Sequence, residues 1–163
     1  MFSGVIILYL FISFLLVLVD RFSKSYAIAR KTETFDIIPG FIRFIYVENR
    51  GIAFGLFQGK TFVIIVLSSI AVFLLVYQLL FNKFDSRLAN ISLSFITAGG
   101  IGNLYDRIVN GFVVDFIEFS FFEFPVFNAA DIFVNIGAFL LILYLITNRK
   151  KIFSRDTVSD NND

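Results

Sequence analysis

The stretch MFSGVIILYLFISFLLVLV, Met1 to Val19, carries no charged side chain, and Asp20, Arg21 and Lys24 follow it closely. A helix needs about 20 apolar residues to cross a hydrocarbon slab of roughly 30 Å. The charges after Val19 fit the last turn of such a helix, near the interface. The stretch therefore reads as a first membrane span, over about 3–24. A cleavable signal peptide is the rival, because Ala27-Ile28-Ala29 resembles a small-residue cleavage site. The missing basic n-region and the long apolar run argue against it.

Three further uncharged runs follow the first. Thr61 to Asn82 and Leu88 to Tyr105 flank the short polar connection Lys83-Phe84-Asp85-Ser86-Arg87, as an antiparallel helix pair would. Ile132 to Asn148 is closed by Arg149, Lys150 and Lys151. These runs predict spans over about 61–82, 88–107 and 131–148, ahead of a polar tail, 149–163, expected to be disordered. The whole chain agrees: it is 58% hydrophobic, 17% charged, with a mean hydropathy of +0.83. That composition points to an α-helical integral membrane protein with four transmembrane helices, built as a single domain over 1–163.

The formal net charge of +1 offers no basic surface for nucleic acid. Cysteine and histidine are both absent. Disulfides, thiolate or imidazole metal sites, cysteine nucleophiles and histidine-based triads are thereby excluded.

Between the first two spans, about 25–60, Thr, Ile, Phe, Tyr and Val alternate irregularly around Pro39-Gly40, which predicts a small β element. The segment about 108–130 reads similarly, with Phe112-Val113-Val114-Asp115-Phe116 and then the aromatic stretch Phe119 to Phe127, and is expected at the interface. The basic cluster after the last span, with Lys83 and Arg87, favours cytoplasmic termini, although Arg30, Lys31, Arg43 and Arg50 in the first loop oppose that orientation. We take both termini as cytoplasmic, so that both β segments are extracytoplasmic.

Four antiparallel spans bring nearly every costly polar group to one membrane face. Asp20 and Lys24 end the first span, the loop Asn49-Arg50-Gly51-Ile52-Ala53-Phe54-Gly55 leads to the second, Asn103, Asp106 and Arg107 end the third, and Asn128 and Asp131 open the fourth. Asp115 lies in the intervening loop on the same face. Asp20 and Lys24 stand at i and i+4, suited either to a structural ion pair or to substrate contact. Asp106 and Arg107 suit supporting roles. Gly99-Gly100-Ile101-Gly102 suits close helix packing, and Gly51 either a tight turn or the approach of an extended peptide. Asn128 can cap the fourth helix, with Asp131 as its first-turn acid.

Without histidine or cysteine, amide hydrolysis could use two carboxylates, one activating water and one donating a proton to the carbonyl oxygen. Asp115, in an apolar setting that favours its acid form, and Asp131, at a helix N-terminus that stabilises its charge, fit those two parts. A Ser–Lys peptidase using Ser23 or Ser25 with Lys24, a proton- or ion-coupled small membrane transporter and a noncatalytic scaffold are the rivals. No metal site is expected, because oxygen ligands near the acids are few.

In their order along the chain, Asp20 with Lys24, the Asn49–Gly55 block, Gly99-Gly100-Ile101-Gly102-Asn103-Leu104-Tyr105-Asp106-Arg107, Val113-Val114-Asp115-Phe116 and Phe127-Asn128-Ala129-Ala130-Asp131 resemble the bacterial lipoprotein signal peptidases, the type II signal peptidases. That resemblance implies four spans, a small β cradle outside the cytoplasmic membrane, no cofactor, and an aspartic endopeptidase. Its substrates would be diacylglyceryl-modified prolipoproteins, cut just before the lipidated cysteine. It implies Asp115 and Asp131 as the catalytic pair. Asp20, Lys24, Asn49, Gly99, Asn103, Arg107 and Asn128 would bind or support. The expected partners are these precursors and membrane lipids, and the expected state is a monomer. Arg21, Ile132 and Ile101 depart from the residues common in that family, and none of them belongs to the pair.

Overall fold

The computed structural model describes residues 4–51, 59–81, 84 and 86–148. Ile52 to Gly55 of the first loop, Lys83 and Asp85 of the short connection, and the polar tail with its basic cluster lie outside the described residues. Among the described residues there are four long helices: α1 (Gly4–Ala29), α2 (Thr61–Phe81), α3 (Arg87–Asn110) and α4 (Ala129–Thr147). Three strands accompany them: β1 (Phe35–Ile38) and β2 (Ile42–Asn49) between α1 and α2, and β3 (Val113–Phe119) between α3 and α4.

Among the described residues, α1, α2 and α4 are long and apolar enough to cross a membrane. Their outward faces are rows of exposed Leu, Ile, Val and Phe, such as Phe22, Phe62, Phe73 and Phe139. Such surface is stable only in an apolar solvent. Helix α3 matches them in length but carries Asn90, Ser92, Ser94, Thr97 and Asn103. Its polarity is turned toward neighbouring helices: the Ser94 hydroxyl donates to the Tyr9 carbonyl at 3.1 Å, and the Ser13 hydroxyl donates to the Ser94 carbonyl at 3.1 Å. Helix α3 therefore forms the middle of the bundle, against α1, α2 and α4.

Small residues set how closely α3 and α4 approach. A Cβ on Gly99 would collide with the Ala130 carbonyl and Val134, and one on Gly137 would meet the Ser92 carbonyl at 2.7 Å. Backbones in such contact need no side-chain filler between them. Ser86 caps the start of α3, accepting from the Ala89 amide, and Gly111 ends it in the left-handed region, φ 78°.

The strands form one antiparallel sheet in the order β1-β2-β3. Pro39 and Gly40 make the turn between the first two, with Gly40 at φ 69°. An irregularity between Phe44 and Val47 shifts the β2–β3 register, so that Val47 stands opposite Asp115 and Asn49 opposite Val113. The sheet packs on the end of α1 through Ala27, Phe44, Val114 and Phe116.

Candidate active site

Helix α4 begins with a reciprocal cap. Asn128 Oδ1 accepts from the Asp131 backbone N–H at 3.1 Å, and Asp131 Oδ2 accepts from the Asn128 backbone N–H at 3.1 Å. This satisfies two amides that a helix start otherwise leaves open. It also fixes the Asn128 side chain, so its Nδ2 must point away from the helix. That nitrogen donates to Asp115 Oδ1 at 2.6 Å and to Asn103 Oδ1 at 3.2 Å. Asp115, on β3, is 2% exposed. Its second oxygen accepts from Asn49 Nδ2, one strand away, at 2.9 Å.

Lys24 orients the other amide. Its Nζ donates to Asn103 Oδ1 at 2.9 Å, which turns Asn103 Nδ2 toward Asp131 Oδ1 at 2.8 Å. Asp115 and Asp131, from a strand and a helix end, are thus joined through Asn128, with Asn103 and Asn49 on either flank. Burial pushes the Asp115 carboxyl up to about 6. The Asn49 and Asn128 donors and the Lys24 charge oppose that rise, and the Asp131 charge adds to it.

Beneath this pair lies a buried cluster of two acids and two bases. Lys24 Nζ stands 3.1 Å from Asp20 Oδ1 and 3.0 Å from Asp106 Oδ2. Arg21 reaches Asp106 Oδ1 at 2.7 Å and Asp20 Oδ2 at 3.2 Å, with its guanidinium over the Tyr105 ring. Opposite charges balance, as burial requires. The acids also tie the backbone: Asp20 Oδ1 accepts from the Ala130 N–H at 3.2 Å, and Asp106 Oδ2 accepts from the Val114 N–H at 3.2 Å. Ala130 and Val114 each immediately precede an aspartate of the pair.

Every site residue singled out from the sequence lies in or beside this assembly, in distinct positions. Asp20, Lys24 and Asp106 form the enclosed ion cluster, where they hold one another and the backbone. Arg107 donates to the Gly51 carbonyl at 2.9 Å, and the Gly51 N–H donates to Asn49 Oδ1 at 3.0 Å. Gly99 sits at the α3–α4 contact, a turn below Asn103. Arg21 was missed. Its one signal in the sequence was its place beside Asp20, at the end of the first apolar run.

The Ser–Lys alternative finds no support in this arrangement. Ser23 donates to the Asp20 carbonyl at 2.9 Å, and the Lys24 ammonium is engaged by Asp20, Asp106 and Asn103. Among the described residues no group of three or more acidic side chains is disposed to hold a metal ion. The oxygens of Asp115 and Asp131 already accept from N–H donors.

The family described as signal peptidase (SPase) II matches residues 12–147, which include both aspartates and all their partners. The chain belongs to the signal peptidase II family. The lipoprotein signal peptidase of Clostridium tetani is 42% identical to it over 147 residues, covering 85% of this chain and 94% of that one. That of Enterococcus faecalis is 36% identical over 150 residues, covering 91% and 93%. A solved bacterial membrane enzyme superposes with a TM-score of 0.80 at 32% identity, covering 92% of each chain. For a signal peptidase II family member, an aspartic peptidase, two converging carboxylates, Asp115 buried and Asp131 partly so, in a chain without histidine or cysteine are the chemistry one would look for.

Proposed function

We propose that this chain crosses a bacterial cytoplasmic membrane four times, both termini in the cytoplasm, and removes signal peptides from diacylglyceryl-modified prolipoproteins by cutting before the lipidated cysteine. One observation carries the reading: Asp115 and Asp131, from separate elements, converge on a single asparagine, Asn128. That arrangement holds two carboxyl groups near one another while leaving each able to accept or give a proton.

The hydrolysis follows from the pair. Asp131, as carboxylate, takes a proton from a water whose oxygen attacks the scissile carbonyl carbon. Asp115, as acid, donates its proton to the carbonyl oxygen as the π pair moves onto it, giving a tetrahedral diol. The proton held by Asp131 then passes to the amide nitrogen, the C–N bond breaks, and the carbonyl reforms as its proton returns to Asp115. The products are the signal peptide's new carboxyl end and the free amino group of the lipidated cysteine. With Asp115 pushed to about 6, a useful fraction of the acid form persists toward neutral pH. The site lies at the ends of the helices, where a substrate held in the bilayer by its acyl chains presents its peptide bond.

The test is cleavage of a diacylated precursor peptide by the purified full chain in lipid, with and without a chelator. Cleavage before the modified cysteine in both conditions is expected, with Asp115→Asn and Asp131→Asn each inactive. Substantial turnover by either variant would remove that residue from the mechanism. Failure of the unsubstituted chain to cleave would overturn the function.

A further inference from the structure

Arg21 takes no part in the proposed hydrolysis, yet it closes the ion cluster beneath the catalytic pair. Asp20 and Asp106 each divide their two oxygens. One oxygen of each faces the backbone: Asp20 Oδ1 accepts from Lys24 Nζ and the Ala130 N–H, and Asp106 Oδ2 accepts from Lys24 Nζ and the Val114 N–H. Among the described residues the other oxygen of each is held by Arg21 alone, Asp106 Oδ1 by Nη1 at 2.7 Å and Asp20 Oδ2 by Nη2 at 3.2 Å. The two acids come from different helices, α1 and α3. Lys24 joins them as a point charge with rotatable donors, whereas the guanidinium is a planar fork whose nitrogens keep a fixed separation. The Tyr105 ring, its centroid 4.6 Å from the guanidinium carbon, supports the fork.

The acids so held transmit their position to the reacting pair. A Cβ on Gly102 would collide with the Asp20 carboxylate and would meet the Ala130 methyl at 3.3 Å. Asp20, the α3 backbone next to Asn103 and the first turn of α4 are thus in mutual contact. A tilt of the Asp20 carboxylate therefore carries the Ala130 amide with it, one residue before Asp131. Asp106 stands in the same relation to Val114, one residue before Asp115.

Charge gives Arg21 a second effect. The cluster holds two positive and two negative groups, and the side chains of Asp20, Asp106 and Lys24 are at most 1% exposed. Without Arg21, one ammonium with three N–H bonds would serve two buried carboxylates. The N–H that Lys24 gives to neutral Asn103 is the one those charges would draw away. Asn103 would then lose the bond that turns its Nδ2 toward Asp131.

We propose that Arg21 is a positioning residue for the catalytic pair: its fork fixes Asp20 against Asp106, and through them the backbone ahead of Asp131 and Asp115 and the Lys24 bond that orients Asn103. Its consequence for catalysis rests on the peptidase reading above; its consequence for the backbone does not.

Arg21→Ala removes both charge and fork, and Arg21→Lys keeps the charge and removes the fork. For each full-length chain in lipid, kcat and KM for a diacylated precursor are measured per folded molecule. Backbone amide exchange is followed by mass spectrometry in the segments that hold Ala130 and Val114. In Arg21→Ala, kcat is expected to fall about 10- to 100-fold with KM unchanged. Both segments should exchange faster, while the region of α1 and α3 around Tyr9 and Ser94 keeps its rate. Arg21→Lys should recover only part of each effect. An unchanged kcat per folded molecule in Arg21→Ala would overturn the proposal, whatever the loss of thermal stability. A raised KM at constant kcat would make Arg21 a substrate contact, and an Arg21→Lys chain identical to the unsubstituted one would leave the fork no role; either overturns it. If Arg21→Ala does not fold, Arg21→Lys decides by the same readouts. If the unsubstituted chain cleaves nothing, the peptidase reading fails and exchange decides alone: unchanged rates in both segments would overturn the positioning.

Discussion

Replacing Asp115 by Asn keeps the side chain's size and removes its titration. Burial raises the Asp115 carboxyl from the ordinary 3.8 to about 6. Because the folded value lies above the unfolded one, its contribution to stability is complete below about 3.8 and is lost as pH rises through about 6. The rise from 3.8 to about 6 amounts to ~3 kcal/mol. The Asn variant escapes that loss and suffers another. It offers one acceptor where the carboxylate offered two, so either Asn49 or Asn128 now points an N–H at an N–H. Asn128 cannot turn to relieve this, because its Oδ1 caps the Asp131 amide. An unsatisfied buried donor costs ~1–3 kcal/mol, at every pH. The two effects therefore separate in a comparison of unfolding free energies in detergent at about pH 4 and about pH 7.5. Between those conditions the stability difference should move in the variant's favour by ~2.4 kcal/mol, whatever its starting sign, since part of the ~3 kcal/mol is already lost at about pH 4. Parallel pH dependences for the two proteins would refute the claim that a charge at Asp115 is costly.

Three other outcomes follow from the same geometry. With Asp115 as the acid, kcat/KM for a diacylated precursor should fall as pH rises above about 6; a profile flat through that range would reverse the proton assignment. Lys24→Met leaves Asp20 and Asp106 with Arg21 alone, and a cost of ~3–5 kcal/mol is expected in thermal unfolding; unchanged stability with a raised KM would return Lys24 to a substrate-contact role. Gly99→Ala should cost ~1–3 kcal/mol and most of the activity by wedging α3 from α4. Gly100→Ala, whose Cβ meets only a Val72 methyl at 3.1 Å, should be nearly neutral in the same assays.

The sequence was most informative where one residue's neighbours along the chain settle its role. The apolar run to Val19 and the charges behind it announce α1, and Asn128 with Asp131 announces the cap of α4. Pro39-Gly40 marks the turn of a hairpin. Roles that depend on long-range register were not legible. Asp20 and Lys24 could be read equally as an ion pair or a substrate contact, because the spacing that aligns them says nothing of Asp106 or of the Ala130 amide. Arg21 looked like an interfacial charge, since its partner Asp106 lies 85 positions away. The meeting of Asn49 with Asp115 depends on the irregularity between Phe44 and Val47, which alternation along one strand does not reveal.

The asparagines explain why so many polar groups are collected at one end of an apolar bundle. The Lys24 charge selects the orientation of Asn103, and Asn103 in turn presents an N–H to Asp131. The α4 cap selects the orientation of Asn128, and Asn128 presents an N–H to Asp115. Asn49, held by the Gly51 amide, supplies the remaining donor. Each aspartate thus receives two N–H bonds from its surroundings. An ionised carboxylate has about four acceptor positions, so roughly two on each remain for the reaction. In the proposed hydrolysis those would serve the attacking water and the polarised carbonyl. A site assembled from aspartates alone would repel itself, and one assembled from aspartate and lysine would collapse into ion pairs. Neutral amides between the ion cluster and the paired carboxyls hold position while leaving the carboxyls' protons free to move.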